Sequence, residues 1–168
     1  MTTQRYSEGI RRAYEGELVG ERLYRLLSVR CADRQQQAKL AAISKVEHRT
    51  HSALKPIAAR LGIEPSEADI QARVSRRADT MQALSWSDFI QKAAVDWPPY
   101  VVEFEALRQL APADDAAALA ILVRHEEALV EFAQLEMNGN ATKTSLRLLE
   151  AFLAEAADPD RPSPAPSV

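Results

Sequence analysis

The sequence predicts an all-α fold, a bundle of four long helices formed by a single domain of 168 residues. Composition favours helix, because glycine is scarce and Ala, Leu, Glu, Arg and Gln dominate. Apolar residues recur with the period of an α-helix in four long segments. Short turns separate the first from the second and the third from the fourth, which predicts two antiparallel pairs.

The first helical pair spans about residues 6–61. Its first helix runs from about Tyr6 to Arg30. Its second helix begins after Asp33, an N-cap with Gln36 three residues later, as in a capping box. Gly62 is a natural residue to end that helix.

A long connection, residues 63–85, joins the two pairs and contains a short helical stretch at 67–77. The second helix should be about 40 Å long, and two dozen extended residues reach further than that. The connection can therefore cross the whole length of the bundle.

The second pair begins with a helical segment at 85–95, which Trp97-Pro98-Pro99 interrupts before the third helix continues to Ala111. A turn at 112–114 leads into the fourth helix, which ends near Gly139. A short C-terminal helix is predicted at about 143–156. The bundle domain is therefore 1–156, and the Pro-rich tail, 157–168, should be disordered.

Each long helix carries at least one acidic residue in its apolar sector at about 100° per residue. The inward-facing acids and histidines are Glu17, Glu21, Glu47, His51, Glu103, His125 and Glu126. An unpaired buried carboxylate costs several kcal/mol, so these side chains should share one site. If the connection crosses the bundle, the acids of both pairs also lie at about the same depth.

With these features, the chain resembles the ferritin-like superfamily, which includes ferritins, rubrerythrins and di-iron carboxylate oxygenases. Those proteins hold two metal ions with a Glu from each of two helices and a Glu-x-x-His pair from each of the other two. The resemblance implies Glu17 or Glu21 as the first ligand. It implies Glu47, Glu103 and Glu126 as the other acids.

Neither Glu-x-x-His pair is intact in this chain. Three residues after Glu47 stands Thr50, and His51 follows one place later. Leu129 stands three residues after Glu126, and His125 directly precedes that acid. A single-metal site, an altered di-metal site and a bundle that has lost its metal all remain open.

Oxygen and imidazole ligands without thiolate favour iron, as one or two ions, or manganese. The resemblance thus implies a non-haem iron oxidoreductase that uses O2 or peroxide on a small-molecule substrate. One alternative is a metal-free bundle that acts as a binding or assembly protein, for which a homodimer is expected. The other alternative is an iron-storage or detoxification protein, which would require a large closed shell.

Charge and cysteine usage exclude several other classes. The formal net charge of −3 leaves no basic surplus for nucleic acid. The single cysteine, Cys31, excludes an internal disulfide and a cysteine-rich zinc site. No apolar stretch resembles a signal peptide or a membrane span, so we expect no membrane association and a cytoplasmic protein.

Overall fold

A computed structural model describes residues 2–139 and 144–155, and within these residues all regular structure is helical. The prediction of an all-α fold is thereby confirmed. The predicted disorder of the tail falls outside the described residues. The elements in chain order are α1 (Thr2–Arg30), α2 (Arg34–Arg60), α3 (Glu67–Gln82), α4 (Trp86–Asp96), α5 (Pro98–Gln109), the 3-10 turn η1 (Ala113–Asp115), α6 (Ala116–Met137) and α7 (Thr144–Glu155).

Local chemistry explains where α2 begins and ends. The Asp33 carboxylate accepts hydrogen bonds from the backbone N–H groups of Gln35 and Gln36, at 2.9 and 2.8 Å. These are two of the N–H groups that a helix leaves without an internal partner. The chain leaves the helix at Gly62, whose φ of 65° is disfavoured for residues with a side chain.

The long connection is mostly a helix, because α3 extends five residues beyond the predicted stretch. The Ser66 hydroxyl caps α3 by accepting from the Asp69 N–H at 3.3 Å. Ile70 and Val74 are buried against Val19, so α3 packs along α1. This position leaves α3 beside the middle of α1.

Three helix ends meet at one end of the molecule. The buried carboxylate of Asp115, at the start of α6, accepts from the Tyr6 hydroxyl at 2.7 Å. It also forms an ion pair with Arg60 at 2.5 Å. The beginning of α1, the end of α2 and the beginning of α6 are therefore tied together.

Two apolar clusters form the main core. One lies toward the end just described and includes Ile10, Leu54, Leu119 and Leu122. The other lies beyond the middle of the helices and includes Leu23, Ile43, Trp97, Leu129, Phe132 and Leu149. On α1, α2 and α6, the residues between the two clusters include buried polar side chains. The molecule thus has a polar layer between two apolar ones.

None of the helices in the described ranges combines the length and apolar character needed to cross a bilayer.

Candidate metal centre

Three buried side chains from three helices meet in the polar layer. Glu17 of α1, Glu47 of α2 and His125 of α6 each offer a potential ligand atom, and these atoms lie within 4.8 Å of one another. His125 Nδ1 is 3.0 Å from Glu17 Oε2, and His125 Nε2 is 3.8 Å from Glu47 Oε2. We refer to Glu17, Glu47 and His125 as the buried cluster.

A glycine provides the space for one of these carboxylates. A Cβ atom added at Gly20 would lie 2.5 Å from the carboxylate carbon of Glu47. Gly20 is one helical turn beyond Gly16, where a Cβ would meet nothing within 4 Å. Of these two glycines, only Gly20 is therefore needed for packing around the cluster.

The buried cluster has polar atoms that lack hydrogen bonds. Glu17 Oε2 and both ring nitrogens of His125 are buried without a hydrogen-bond partner in the part of the chain that the structure describes. The approach of His125 to Glu17 is at ion-pair distance but lacks hydrogen-bond geometry. Leaving such atoms unpaired costs about 1–3 kcal/mol each. A carboxylate oxygen and imidazole nitrogens in this position suit a cation, so the donor set fits a metal ion.

Another buried carboxylate in this fold has a full set of hydrogen-bond and ion-pair partners. Glu136, near the end of α6, accepts from the Trp86 indole N–H at 2.9 Å and forms an ion pair with Lys39 at 2.7 Å. The Ser145 hydroxyl donates to it as well. Burial alone thus does not make a site here, because Glu136 has three partners, whereas Glu17 Oε2 and both His125 nitrogens have no hydrogen-bond partner among the described residues.

Burial also raises the pKa of the central acids. It raises the pKa of Glu17 to about 8, an increase that a hydrogen bond with Glu47 partly offsets. Burial and the nearby Glu17 raise the pKa of Glu47 well above its usual range. Burial raises the pKa of Glu126 to about 8 against the favourable charge of His125. Without a cation these carboxyl groups retain protons near neutral pH, and a divalent ion would displace them.

A cavity of about 330 Å³ connects the buried acids with the surface. Glu17, Glu47 and Glu126 line its inner part, together with aromatic residues that include Tyr24 and Trp97. Glu126 thus joins the buried cluster as a neighbouring wall residue, as its sequence position predicts. A small molecule that enters the cavity would meet all three carboxyl groups.

Glu103 differs from the sequence expectation that it faces the core. Its side chain is 42% exposed and forms an ion pair with Arg12 at 3.1 Å, at the outer part of the same cavity. The buried residues of α5 are Phe104 and Leu107 alone. The apolar stripe of this short helix is thus narrower than the sequence suggests, which leaves Glu103 at its edge.

Glu21 and His51 form a separate group with His48, which is not among the ligands predicted from the sequence. His48 Nδ1 lies 3.1 Å from Glu21 Oε1, and His51 Nδ1 lies 3.8 Å from Glu21 Oε2. The three side chains line a surface depression between α1, α2 and α3. The spacing of His48 and His51 at i and i+3 was the available signal. We refer to Glu21, His48 and His51 as the surface cluster.

The structure therefore divides the predicted ligands into three places. Glu17, Glu47, His125 and Glu126 are together in the interior, Glu21 and His51 are in the surface cluster, and Glu103 is at the cavity mouth. Comparisons of the chain with protein-family models, with curated proteins and with solved structures found no match.

Proposed function

We propose that this protein binds a redox-active metal ion, iron or manganese, through Glu17, Glu47 and His125, and acts as a non-haem oxidoreductase on a small molecule. The observation that carries the proposal is the set of buried, unpartnered donor atoms on Glu17 and His125. Two carboxylates and one imidazole form a donor set that suits Fe and Mn better than a thiolate-preferring ion.

A ferritin-like bundle with a crossover is part of the same proposal. The contacts of Asp115 with Tyr6 and Arg60 support α1 and α6 as parallel helices, with α2 antiparallel to α1. Ile63, at the start of the connection, belongs to the apolar cluster at that end, whereas Leu84 packs against the opposite cluster. A connection that traverses the molecule in this way matches the arrangement with one long crossover.

The donor count favours one ion. Three ligand atoms lie within 4.8 Å of one another, and Glu126 is the only further inward acid predicted as a ligand that stays in the interior. Glu103, which would supply a further carboxylate to a di-metal site, is paired with Arg12 instead. A second ion would require Glu103 to leave that pair.

When bound, the ion would supply one-electron chemistry and coordination positions for O2 or peroxide. The chain supplies the rest. The cavity admits the substrate, and the aromatic side chains of Tyr24 and Trp97 provide an apolar wall that limits water. Glu126 lines the cavity beside the ligands, where its carboxyl group is placed to exchange a proton with a bound substrate.

The alternative function is a metal-free bundle that binds or assembles with a partner. The raised pKa values of Glu17 and Glu126 favour it, because protonated carboxyl groups need no cation to be neutral. In that case the buried cluster is a network that shares protons, and the cavity is a binding pocket without redox chemistry.

Metal analysis distinguishes the metal-dependent oxidoreductase from the metal-free bundle. We would measure the metal content of the protein purified after aerobic growth with added iron, and again after anaerobic loading with Fe(II). The proposal predicts about one Fe or Mn per chain. It also predicts loss of that ion in Glu47→Gln, which keeps the side-chain volume, and retention in Glu127→Gln, whose residue is exposed.

Absence of metal under both conditions would contradict the oxidoreductase and leave the metal-free alternative. Size-exclusion chromatography addresses iron storage separately, because storage requires a large closed shell and a single-chain or dimeric particle excludes it.

A further inference from the structure

We propose that the surface cluster, Glu21, His48 and His51, is a second divalent-metal site, independent of the buried one, that takes a zinc-class ion such as Zn²⁺ or Co²⁺. The two imidazole Nδ1 atoms approach different oxygens of the same carboxylate, at 3.1 and 3.8 Å. All three residues offer ligand atoms within 4.8 Å of one another.

These separations fit a tetrahedral ion. Zinc binds imidazole nitrogen and carboxylate oxygen at about 2.0–2.2 Å, so neighbouring donor atoms around it are about 3.3–3.5 Å apart. The Nδ1–oxygen distances of the surface cluster lie on either side of that value. The two distances run to different carboxylate oxygens, so an ion would be held by both oxygens of Glu21 or by one of them after a side-chain rotation.

The surrounding packing holds two of the ligands in place. The ring of His51 stacks on Tyr14 with centroids 4.6 Å apart and an interplanar angle of 17°. The Ser44 hydroxyl donates to the backbone carbonyl of Glu21 at 2.8 Å, which joins α2 to α1 at this level. Preorganised ligands lose less freedom when they bind an ion.

The charges that face the cluster are compatible with a cation. Arg22, which lines the same depression, donates hydrogen bonds to both carboxylate oxygens of Glu67, at 2.5 and 3.0 Å. Burial, followed by the charges of His48, Lys55 and Arg22, lowers the pKa of His51 against the opposing effect of Glu21.

The site is open on one side. The side chain of His48 is 63% exposed, and the depression around the cluster is lined by residues of α1, α2 and α3. Three protein ligands leave a position for water or an added ligand. The two nitrogen donors make this site richer in imidazole than the buried cluster, which predicts Zn²⁺, Ni²⁺ or Co²⁺ here and Fe or Mn inside.

Cobalt titration tests the inference in a Glu47→Gln background, where the buried site is disabled whether or not it binds iron. We would add Co²⁺ to the metal-free protein, record the visible d–d absorption of tetrahedral cobalt, and then displace it with Zn²⁺. We expect about one equivalent of bound Co²⁺ that zinc releases.

His48→Asn and Glu21→Gln should each weaken binding by at least about 10–100-fold, the loss typical even for outer-shell residues. Lys45→Asn is the matched control, because Lys45 is an exposed residue of the same helix, and it should bind cobalt as the parent does. Far-ultraviolet circular dichroism checks that each variant is folded. A parent that binds no Co²⁺, or a His48→Asn variant that binds as tightly as Lys45→Asn, would overturn the inference.

Discussion

The buried and surface clusters are built from neighbouring positions of the same two helices, yet they differ in burial and in their proportion of carboxylate to imidazole. Glu17 and Glu21 are one turn apart on α1, and Glu47 and His48 are consecutive on α2. A step of about 100° per residue takes Glu47 into the interior and His48 to the surface. The third member then differs, since α6 supplies His125 and α2 itself supplies His51.

This difference indicates that full coverage, by α6, changes the environment of a carboxylate–histidine group. Under α6 the acids are desolvated and their pKa values rise, and Glu17 Oε2 and both His125 nitrogens have no hydrogen-bond partner within the described ranges. In the surface cluster the carboxylate stays partly exposed, and both histidines approach it directly. The buried cluster is suited to chemistry that is shielded from water at a cavity, and the surface cluster is suited to an exchangeable ion.

The largest expected effect is on metal affinity. It tests whether the buried cluster and the surface cluster are two separate sites. Glu47→Gln should lower affinity for Fe(II) by at least about 10–100-fold, because it removes a ligand of the buried ion. Glu21→Gln should leave Fe(II) affinity unchanged. Anaerobic Fe(II) titration of both variants measures this, and equal losses would show that the clusters act together.

The second prediction is an opposite dependence of stability on pH in the metal-free protein. The folded-state pKa of Glu17, about 8, is above its value of 4.5 when exposed. The native state therefore binds more protons between these values, and stability falls as pH rises from about 5 through 8. For His51 the folded pKa is lowered, so stability falls as pH decreases through about 6.5.

Thermal denaturation from pH 5 to 9 checks both signs. We expect Glu17→Gln to reduce the loss of stability on the alkaline side, to which Glu47 and Glu126 also contribute and where the wild-type Tm should drop by about 10 °C. His51→Asn should flatten the acidic side instead. A wild-type Tm that rises steadily toward pH 9 would contradict the assignment for Glu17.

The third prediction sharpens the packing argument with two glycines of one helix. Gly20→Ala should destabilise the protein by about 1–3 kcal/mol, because its Cβ would overlap the Glu47 carboxylate. Gly16→Ala should stabilise it by about 0.5–1 kcal/mol, since a Cβ there meets nothing within 4 Å. Urea denaturation measures both, and equal effects would mean that Gly20 does not accommodate Glu47.

The smallest expected effect is at the cavity mouth. Glu103→Gln removes the partner of Arg12 in an exposed ion pair, which contributes about 0–1 kcal/mol. We expect nearly unchanged stability and full retention of the buried ion. Loss of metal in this variant would show that Glu103 moves inward as a ligand when the ion binds.

Much of the fold could be predicted because its signals are local. The N-cap at Asp33, the end at Gly62 and the helical period depend on residues within one or two turns of each other. The same period predicted correctly that Glu17, Glu47 and His125 are buried. Helical phase is a property of the chain itself, so it can be calculated before any neighbour is known.

The tertiary structure alone decided which inward residues meet. Helical phase places Glu17 and Glu21 in the same apolar sector of α1. Only the position of α6 brings His125 to Glu17, and Glu21 is approached by His48 and His51 instead. Glu103 illustrates the same limit, because the edge of α5 is uncovered and its carboxylate pairs with Arg12. Burial and donor distances depend on helices remote in sequence, and local period carries no information about their placement.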